Sequence, residues 1–166
     1  GNLTLFLEEF LGWLPGHLVG EHRPDPVPED LSVVLPDFEE TISPTSALRK
    51  FKPKPDENPW SLLILKVSTG RDLDKPHAAH PRGWEASPTK KFERLLRDTK
   101  VHVGLLTNGL QFRLVYAPAK ENAGHVTFPV EAMTEVGGRL ILGAFHLLLG
   151  AQSVLNAPDK RHLHRL

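Results

Sequence analysis

Apolar residues recur along this 166-residue chain with two spacings, one typical of helices and one typical of strands. Near the N-terminus a helical spacing predicts an amphipathic helix that ends at Pro15-Gly16. Its apolar residues are Leu3, Phe6, Leu7, Phe10, Leu11 and Leu14. A second helix is predicted after Ser87-Pro88, which form a natural N-cap and first helical residue. A third, strongly apolar helix is predicted over 138–155.

Strand patterns lie between these helices. Residues 31–35 form a short β-branched strand that ends at Pro36, and the apolar run 60–68 is typical of a central strand buried on both faces. Val101 to Pro118 reads as two strands folded about Asn108-Gly109, which supplies the positive φ angles of a tight hairpin. The inward residues are expected to be Val101, Val103, Leu105, Phe112, Leu114 and Tyr116. A third strand is expected from His125.

Two further segments complete the chain. Residues 43–51 are interpreted as a one-turn helix, and residues 69–84, rich in Pro and His, as a polar, mobile loop. The order strand, strand, helix, hairpin, helix predicts an α/β or α+β domain with a mixed sheet and helices on its faces. The length suits a single domain over 1–166. The start Gly-Asn-Leu, without Met, suggests the N-terminal fragment of a larger protein.

Charge and cysteine content narrow the function classes. The 20 Lys and Arg residues balance the 20 Asp and Glu residues, so any nucleic-acid partner must meet a local basic patch. The chain has no Cys, which excludes disulfides and thiol catalysis and fits a cytoplasmic protein. The longest apolar run, within 140–149, is about half of the roughly 20 residues of a membrane span, so no membrane partner is expected.

Common catalytic motifs are missing from the sequence. It has no Gly-x-Ser-x-Gly elbow, no P-loop and no Gly-x-Gly-x-x-Gly. His77 and His80 form an i, i+3 pair, but a zinc site without Cys needs three or four convergent ligands. His146 is interpreted as a core residue of the apolar helix. His162 and His164 are interpreted as part of a basic tail.

One pairing of segments suggests phosphodiester chemistry. Many metal-dependent nucleases combine a Pro-Asp at a strand end with a following central strand that ends in acid-x-Lys, and their carboxylates hold Mg²⁺. Asp37 and Lys66 stand in such places, 29 residues apart, but Ile64 occupies the acid position. An alternative acid must then come from Glu39, Glu40 or Glu57. A lone lysine at a strand end is also typical of a purely structural residue.

The segment that follows carries a resemblance to a known family. Its apolar strand turns at Thr-Asn-Gly into an aromatic-rich strand, and the residues concerned are Gly104, Leu105, Leu106, Thr107, Asn108, Gly109, Phe112 and Tyr116. Together with Pro36-Asp37 and Lys66, the segment resembles the N-terminal domain of type I restriction endonuclease R subunits and of related single-chain, methyltransferase-linked restriction-modification proteins. The resemblance covers most of residues 31–116.

The resemblance implies a PD-(D/E)xK nuclease fold, a restriction-endonuclease-like three-layer domain with a central mixed sheet flanked by helices. It also implies Mg²⁺-dependent DNA cleavage by a domain attached to helicase or methyltransferase modules. Carried over by position, Asp37 is a metal ligand and Lys66 the catalytic lysine. The chain departs from the family at Ile64, and the helix before the hairpin lacks a Gln-x-x-x-Tyr.

Basic residues suggest where DNA would bind. Four cations recur along the predicted second helix, Lys90, Lys91, Arg94 and Arg97. If they share one face they can follow phosphates, with Arg71, Lys75 and Arg82 of the preceding loop beside them. Lys50 and Lys52, in a further basic segment, are expected near the same site. The alternative interpretation is a solvated helix face.

Three functions follow from the sequence. The first is a nuclease-fold domain of a restriction-modification or phage-defence protein that has lost its catalytic acid and serves DNA contact or scaffolding. The second is an active Mg²⁺-dependent endonuclease with a displaced acid. Both require Asp37 and Lys66 on adjacent strands of one mixed sheet. The third is a protein-binding domain that docks a partner through residues 140–149 and the His-rich loop.

Overall fold

The computed structural model describes residues 15–131 of the chain. The predicted N-terminal helix and the apolar helix over 138–155 lie outside the described residues, as do His146, His162 and His164. Within the described part, no helix has the length and apolar character needed to cross a bilayer.

A six-stranded mixed sheet forms the centre of the described structure, in the order β1-β4-β5-β6-β7-β8. Its strands are β1 (Leu18–Gly20), β4 (Ser46–Arg49), β5 (Trp60–Lys66), β6 (Val103–Thr107), β7 (Gln111–Tyr116) and β8 (Gly124–Pro129). Only β5 and β6 run parallel, and every other neighbouring pair is antiparallel. The remaining strands, β2 (Val33–Leu35) and β3 (Glu40–Ile42), pair separately as a two-stranded sheet.

The parallel pair requires a crossover, and helix α1 (Pro88–Thr99) provides it. The Ser87 side chain accepts a hydrogen bond from the Lys90 backbone N–H (3.2 Å), so the predicted N-cap is confirmed. α1 lies directly on β6. A Cβ added to Gly104 would meet the Phe92 ring at 2.3 Å, so only glycine permits this close approach.

β5 is buried on both faces, as its continuous apolar run predicts. Leu63 is aligned with Gly104 on the parallel neighbour β6. A Cβ added to Gly104 would point at α1, so Leu63, on the same face of the sheet, also faces α1. Leu62 and Ile64 lie on the opposite face and are also buried. Five of the six predicted inward residues of the hairpin share that opposite face, since Leu105 is aligned with Ile64 and Leu114 with Leu105. The sixth, Val101, precedes β6 and belongs to the core cluster that contains Phe92 of α1.

The Asn108-Gly109 hairpin is confirmed, but it is not a tight two-residue turn. Thr107 pairs with Phe112, and of the Asn-Gly pair only Gly109 has a positive φ (80°). Asn108 acts through its side chain instead, because its Oδ1 accepts the backbone N–H groups of Leu110 and Gln111. The predicted strand after the hairpin is also present, as β8.

The predicted one-turn helix over 43–51 is wrong. Its central residues form β4, in which Ser46 pairs with Ile64 and Leu48 with Leu62. Burial of this short segment between β1 and β5 overrides its weak local preference. The predicted fold class, a mixed α and β domain with a central mixed sheet, is confirmed for residues 15–131, where α1 is the one α-helix that lies wholly within that range.

Candidate functional site

Lys66 is the last residue of β5, at an open end of the central sheet. Its backbone N–H donates to Thr45 Oγ1 (2.9 Å), and its Nζ lies 3.5 Å from both carboxylate oxygens of Glu21. The side chain remains 44% exposed. The predicted strand-end lysine is therefore accessible from solvent, and among residues 15–131 a single carboxylate, that of Glu21, lies beside it.

Asp37 does not lie on a strand next to Lys66, so the expected pairing of these two residues is wrong. Asp37 occupies a short 3-10 turn, Pro36–Phe38, that links β2 to β3 in the separate two-stranded sheet. The neighbours of β5 are β4 and β6. A short hairpin folds back before the chain enters the central sheet, and this hairpin removes Asp37 from the strand that borders Lys66.

The residue that borders the end of β5 is Thr45. Its backbone N–H donates to the Ile64 carbonyl (2.8 Å), and its hydroxyl receives the Lys66 N–H. Ile64 itself is buried, with 1% of its surface exposed. A hydroxyl and a sec-butyl group thus occupy the two positions where a nuclease of the expected type needs carboxylates.

The three alternative acids are each engaged by a cation. Glu39 accepts from Arg82 (2.8 Å), and Glu57 accepts from Lys50 at the opposite end of β5. Glu40 accepts from Lys91 (2.6 Å) and from the Trp84 backbone N–H (2.9 Å). Both carboxylate oxygens of Glu40 and Glu57, and one of Glu39, therefore accept from hydrogen-bond donors.

The pKa of two of these carboxyl groups reflects the ion pairs. Burial by itself raises the pKa of Glu40, but the Lys91 and Trp84 hydrogen bonds and nearby positive charge outweigh it and lower the pKa below its usual value. The Lys50 hydrogen bond lowers the pKa of Glu57. Both side chains are charged at neutral pH, but each charge is already balanced locally.

A magnesium ion does not fit the residues around Lys66. Mg²⁺ takes oxygen ligands in near-octahedral geometry, usually from one or two carboxylates. Within residues 15–131 no three His, Cys, Asp or Glu side chains come together as a possible metal site. Glu21 is the one carboxylate in contact with Lys66 in that range, and that contact engages both of its oxygens.

A cleft of about 370 Å³ opens beside the end of β5. Three of its lining residues are cations, Lys66, Arg71 and Lys91, and one is an acid, Glu40. Glu40 and Lys91 neutralise each other, and both are largely buried. The Arg71 guanidinium makes no hydrogen bond or ion pair with any of the residues that the structure describes. The described lining of the cleft therefore carries net positive charge, to which Arg71 contributes without a counter-ion among residues 15–131.

DNA tracking along the helix requires the four helix cations to share one face, and they do not. Lys90, Arg94 and Arg97 line a second cleft of about 660 Å³, whereas Lys91 points into the first. Lys90 pairs with Glu93. The other two are also engaged, Arg94 by Asp98 and Arg97 by the carbonyls of Pro118 and Glu121.

Lys50 and Lys52 lie far from Lys66, so their expected place near the site is wrong. Lys50 N–H donates to the Pro59 carbonyl at the start of β5, and Lys66 ends the same strand. At about 3.3 Å per residue, the two ends of β5 are roughly 20 Å apart. Lys52 stacks on Phe51 (5.3 Å to the ring centroid) at that distant end.

Residues 69–84, expected to be mobile, are attached to the rest of the structure at several points. Asp74 pairs with the buried Arg113 of β7, which also donates to Thr89 and Thr127. Hydrogen bonding from Arg113 lowers the pKa of Asp74. The loop therefore forms a fixed wall over α1 and the sheet.

Sequence reasoning missed Thr45 and Glu21 at the site. Glu21 follows β1 and Thr45 precedes β4. The partners of these short strands are set by long-range pairing, β1 with β4 and β4 with β5. No local motif marks either residue. In comparisons with known proteins, the chain matches no family model, no curated protein and no solved structure.

Proposed function

We propose that this chain is a catalytically degenerate, nuclease-like domain of a restriction-modification or phage-defence protein, and that it contacts DNA without cleaving it. Asp37 lies in the turn between β2 and β3 and not on a strand beside Lys66, as the sequence analysis required, so the proposal no longer includes Asp37. The observation that carries it is Lys66 at the open end of a central strand, bordered by Thr45 and Ile64 in place of acids. In such a protein the domain would hold DNA for attached methyltransferase or helicase modules.

The order of elements supports the nuclease-like part of this proposal. β4 and β5 form an antiparallel hairpin, α1 crosses over, and β6 returns parallel to β5. This arrangement presents the C-terminal end of the central strand β5 at an open end of the sheet, where a nuclease of the PD-(D/E)xK type keeps its lysine. A restriction-endonuclease-like three-layer fold is accordingly part of what we propose.

The charges of the cleft support DNA contact over DNA cleavage. Cleavage with Mg²⁺ needs carboxylates that lower the pKa of a bound water, and the described residues around Lys66 supply only Glu21. Phosphate contact needs accessible cations, and Lys66 and Arg71 supply them. The site is suited to holding a phosphodiester and lacks the groups that would hydrolyse it.

A binding and a cleavage assay with the 166-residue chain test the proposal together. We expect duplex DNA to bind with salt-dependent affinity, Lys66→Ala to weaken binding, and no nicking to occur with Mg²⁺ or Mn²⁺. Lys52→Ala is the matched control, since it removes an equal charge at the distant end of β5. Absence of DNA binding at low salt, or equal losses for the two variants, would contradict the proposal.

Glu21 favours a second candidate, an active endonuclease with a displaced acid. Its carboxylate lies next to Lys66, although it comes from the segment after β1. This candidate predicts Mn²⁺-dependent nicking that disappears in Glu21→Gln. Silence with all divalent metals would exclude it and leave the first proposal standing. The third function, partner docking through residues 140–149, depends on residues outside the described part.

A further inference from the structure

The tip of the β6–β7 hairpin is attached to one wall of the Lys66 cleft. Val67 N–H donates to the Thr107 carbonyl (2.9 Å), and Gly70 N–H donates to the Asn108 carbonyl (3.1 Å). The Asn108 side chain completes the attachment, because its Nδ2 donates to the Arg71 carbonyl (2.8 Å). Three hydrogen bonds therefore fix the backbone from which the Arg71 side chain projects.

Asn108 performs two separable tasks with one side chain. Its Oδ1 shapes the hairpin by accepting two backbone N–H groups, and its Nδ2 holds Arg71. Only 4% of its surface is exposed, so a lost hydrogen bond there is not readily replaced by water. Aspartate at this position would keep both acceptor contacts and lose the donor.

Arg71 differs from the other two cations of the cleft. Lys91 is held by Glu40 and Lys66 lies beside Glu21, whereas the Arg71 guanidinium has no partner among residues 15–131. An arginine remains charged at all physiological pH values, and its planar group of N–H donors matches a phosphate. A fixed backbone and a free guanidinium together are what a phosphate contact requires.

We infer that Arg71 contacts a backbone phosphate of DNA bound in the Lys66 cleft, and that Asn108 is the residue that positions it. The inference rests on the proposed DNA-contacting function. It assigns the Thr-Asn-Gly hairpin a role in binding beyond closing the sheet, because the turn and the cleft wall share the Asn108 side chain.

The first test measures the salt dependence of DNA binding by fluorescence anisotropy with a labelled duplex. Loss of one phosphate contact lowers the slope of log affinity against log salt by about 0.9, so Arg71→Gln is expected to show this decrease. Lys75→Gln is the matched control, since it removes the same charge from the same loop at an exposed position outside the cleft. An unchanged slope in Arg71→Gln would overturn the inference.

The second test separates positioning from charge. Asn108→Asp removes the donor to Arg71, and Gln111→Glu adds the same charge to the same hairpin while leaving that donor in place. We expect Asn108→Asp to weaken binding more than Gln111→Glu in the wild-type background. In an Arg71→Gln background, Asn108→Asp and Gln111→Glu should weaken DNA binding equally. A difference that persists without Arg71 would refute the positioning role.

The two tests keep this inference distinct from the proposed function. If the unmodified chain fails to bind DNA at low salt, the proposed function fails. If it binds and Arg71→Gln leaves the slope unchanged, only the inference fails. Thermal unfolding of each variant identifies a folding defect. If Asn108→Asp is unfolded, Asn108→Ser replaces it, with Gln111→Ser as the uncharged control, because the short serine side chain cannot reach the Arg71 carbonyl.

Discussion

The contact between α1 and β6 predicts that Gly104→Ala destabilises the protein. A Cβ at this position would lie 2.3 and 2.6 Å from two atoms of the Phe92 ring and 2.9 Å from Leu96 Cδ2. Ordinary contact begins near 3.4 Å, so the ring would have to move by 3.4 − 2.3, or about 1.1 Å. Phe92 and Leu96 are fully buried and have no free space to enter.

Overpacking of this kind costs about 1–3 kcal/mol in the free energy of unfolding. For a domain of this size each kcal/mol lowers Tm by roughly 2–4 °C, so Gly104→Ala should lower Tm by about 2–12 °C. Thermal unfolding followed by circular dichroism measures the shift. Gly124→Ala is the control, because a Cβ there meets no atom within 4 Å.

A second substitution makes the test specific to the Phe92 contact. Phe92→Leu creates space where the added methyl group of Gly104→Ala would lie, so the double variant should lose less stability than the sum of the two single variants. If Gly104→Ala melts within about 1 °C of wild type, or if the two losses simply add, the close approach of α1 to β6 is wrong as described.

Two further predictions concern ion pairs. Glu40→Gln removes the counter-ion of the largely buried Lys91 and should lower the free energy of unfolding, measured with denaturant, by on the order of 3 kcal/mol. Glu39→Gln is the control and should lower it little, because the Glu39–Arg82 pair is exposed. Equal losses of stability in the two variants would contradict this. Because Arg113 lowers the pKa of Asp74, that carboxylate stabilises the fold above its unfolded pKa of 3.8 and loses this effect as pH falls through the lower folded value. The Tm deficit of Asp74→Asn should thus be largest near neutral pH and shrink below pH 3.8, and a constant deficit would argue against the ion pair.

The sequence determined the elements whose signals are local. Ser87-Pro88 marks the start of α1 because the cap and the first helical residue act within one turn. The continuous apolar run of β5 predicts burial on both faces, because a strand exposed on one side would alternate with polar residues. The Asn108-Gly109 pair predicts the hairpin, and the positive φ of Gly109 is the local reason.

The tertiary structure decided where the site residues lie. Asp37 has a suitable sequence position, but β2 and β3 pair with each other and leave the central sheet, so Thr45 borders Lys66 instead. β4 has no distinctive local pattern and becomes a strand only because β1 and β5 bury it. Long-range strand pairing is set by the burial of whole faces, which no short segment encodes.

The same limit applies to charge. The sequence shows that Lys91 and Arg71 are cations, but only the fold shows that Glu40 neutralises Lys91 and that Arg71 lines the cleft without an ion pair to any residue of 15–131. Glu40 lies 51 positions from Lys91 along the chain, and the interaction of the two depends on a distance of a few ångströms. The sequence therefore supplied the chemical groups, and the packing of α1, β3 and β5 determined which of them remain available to a ligand.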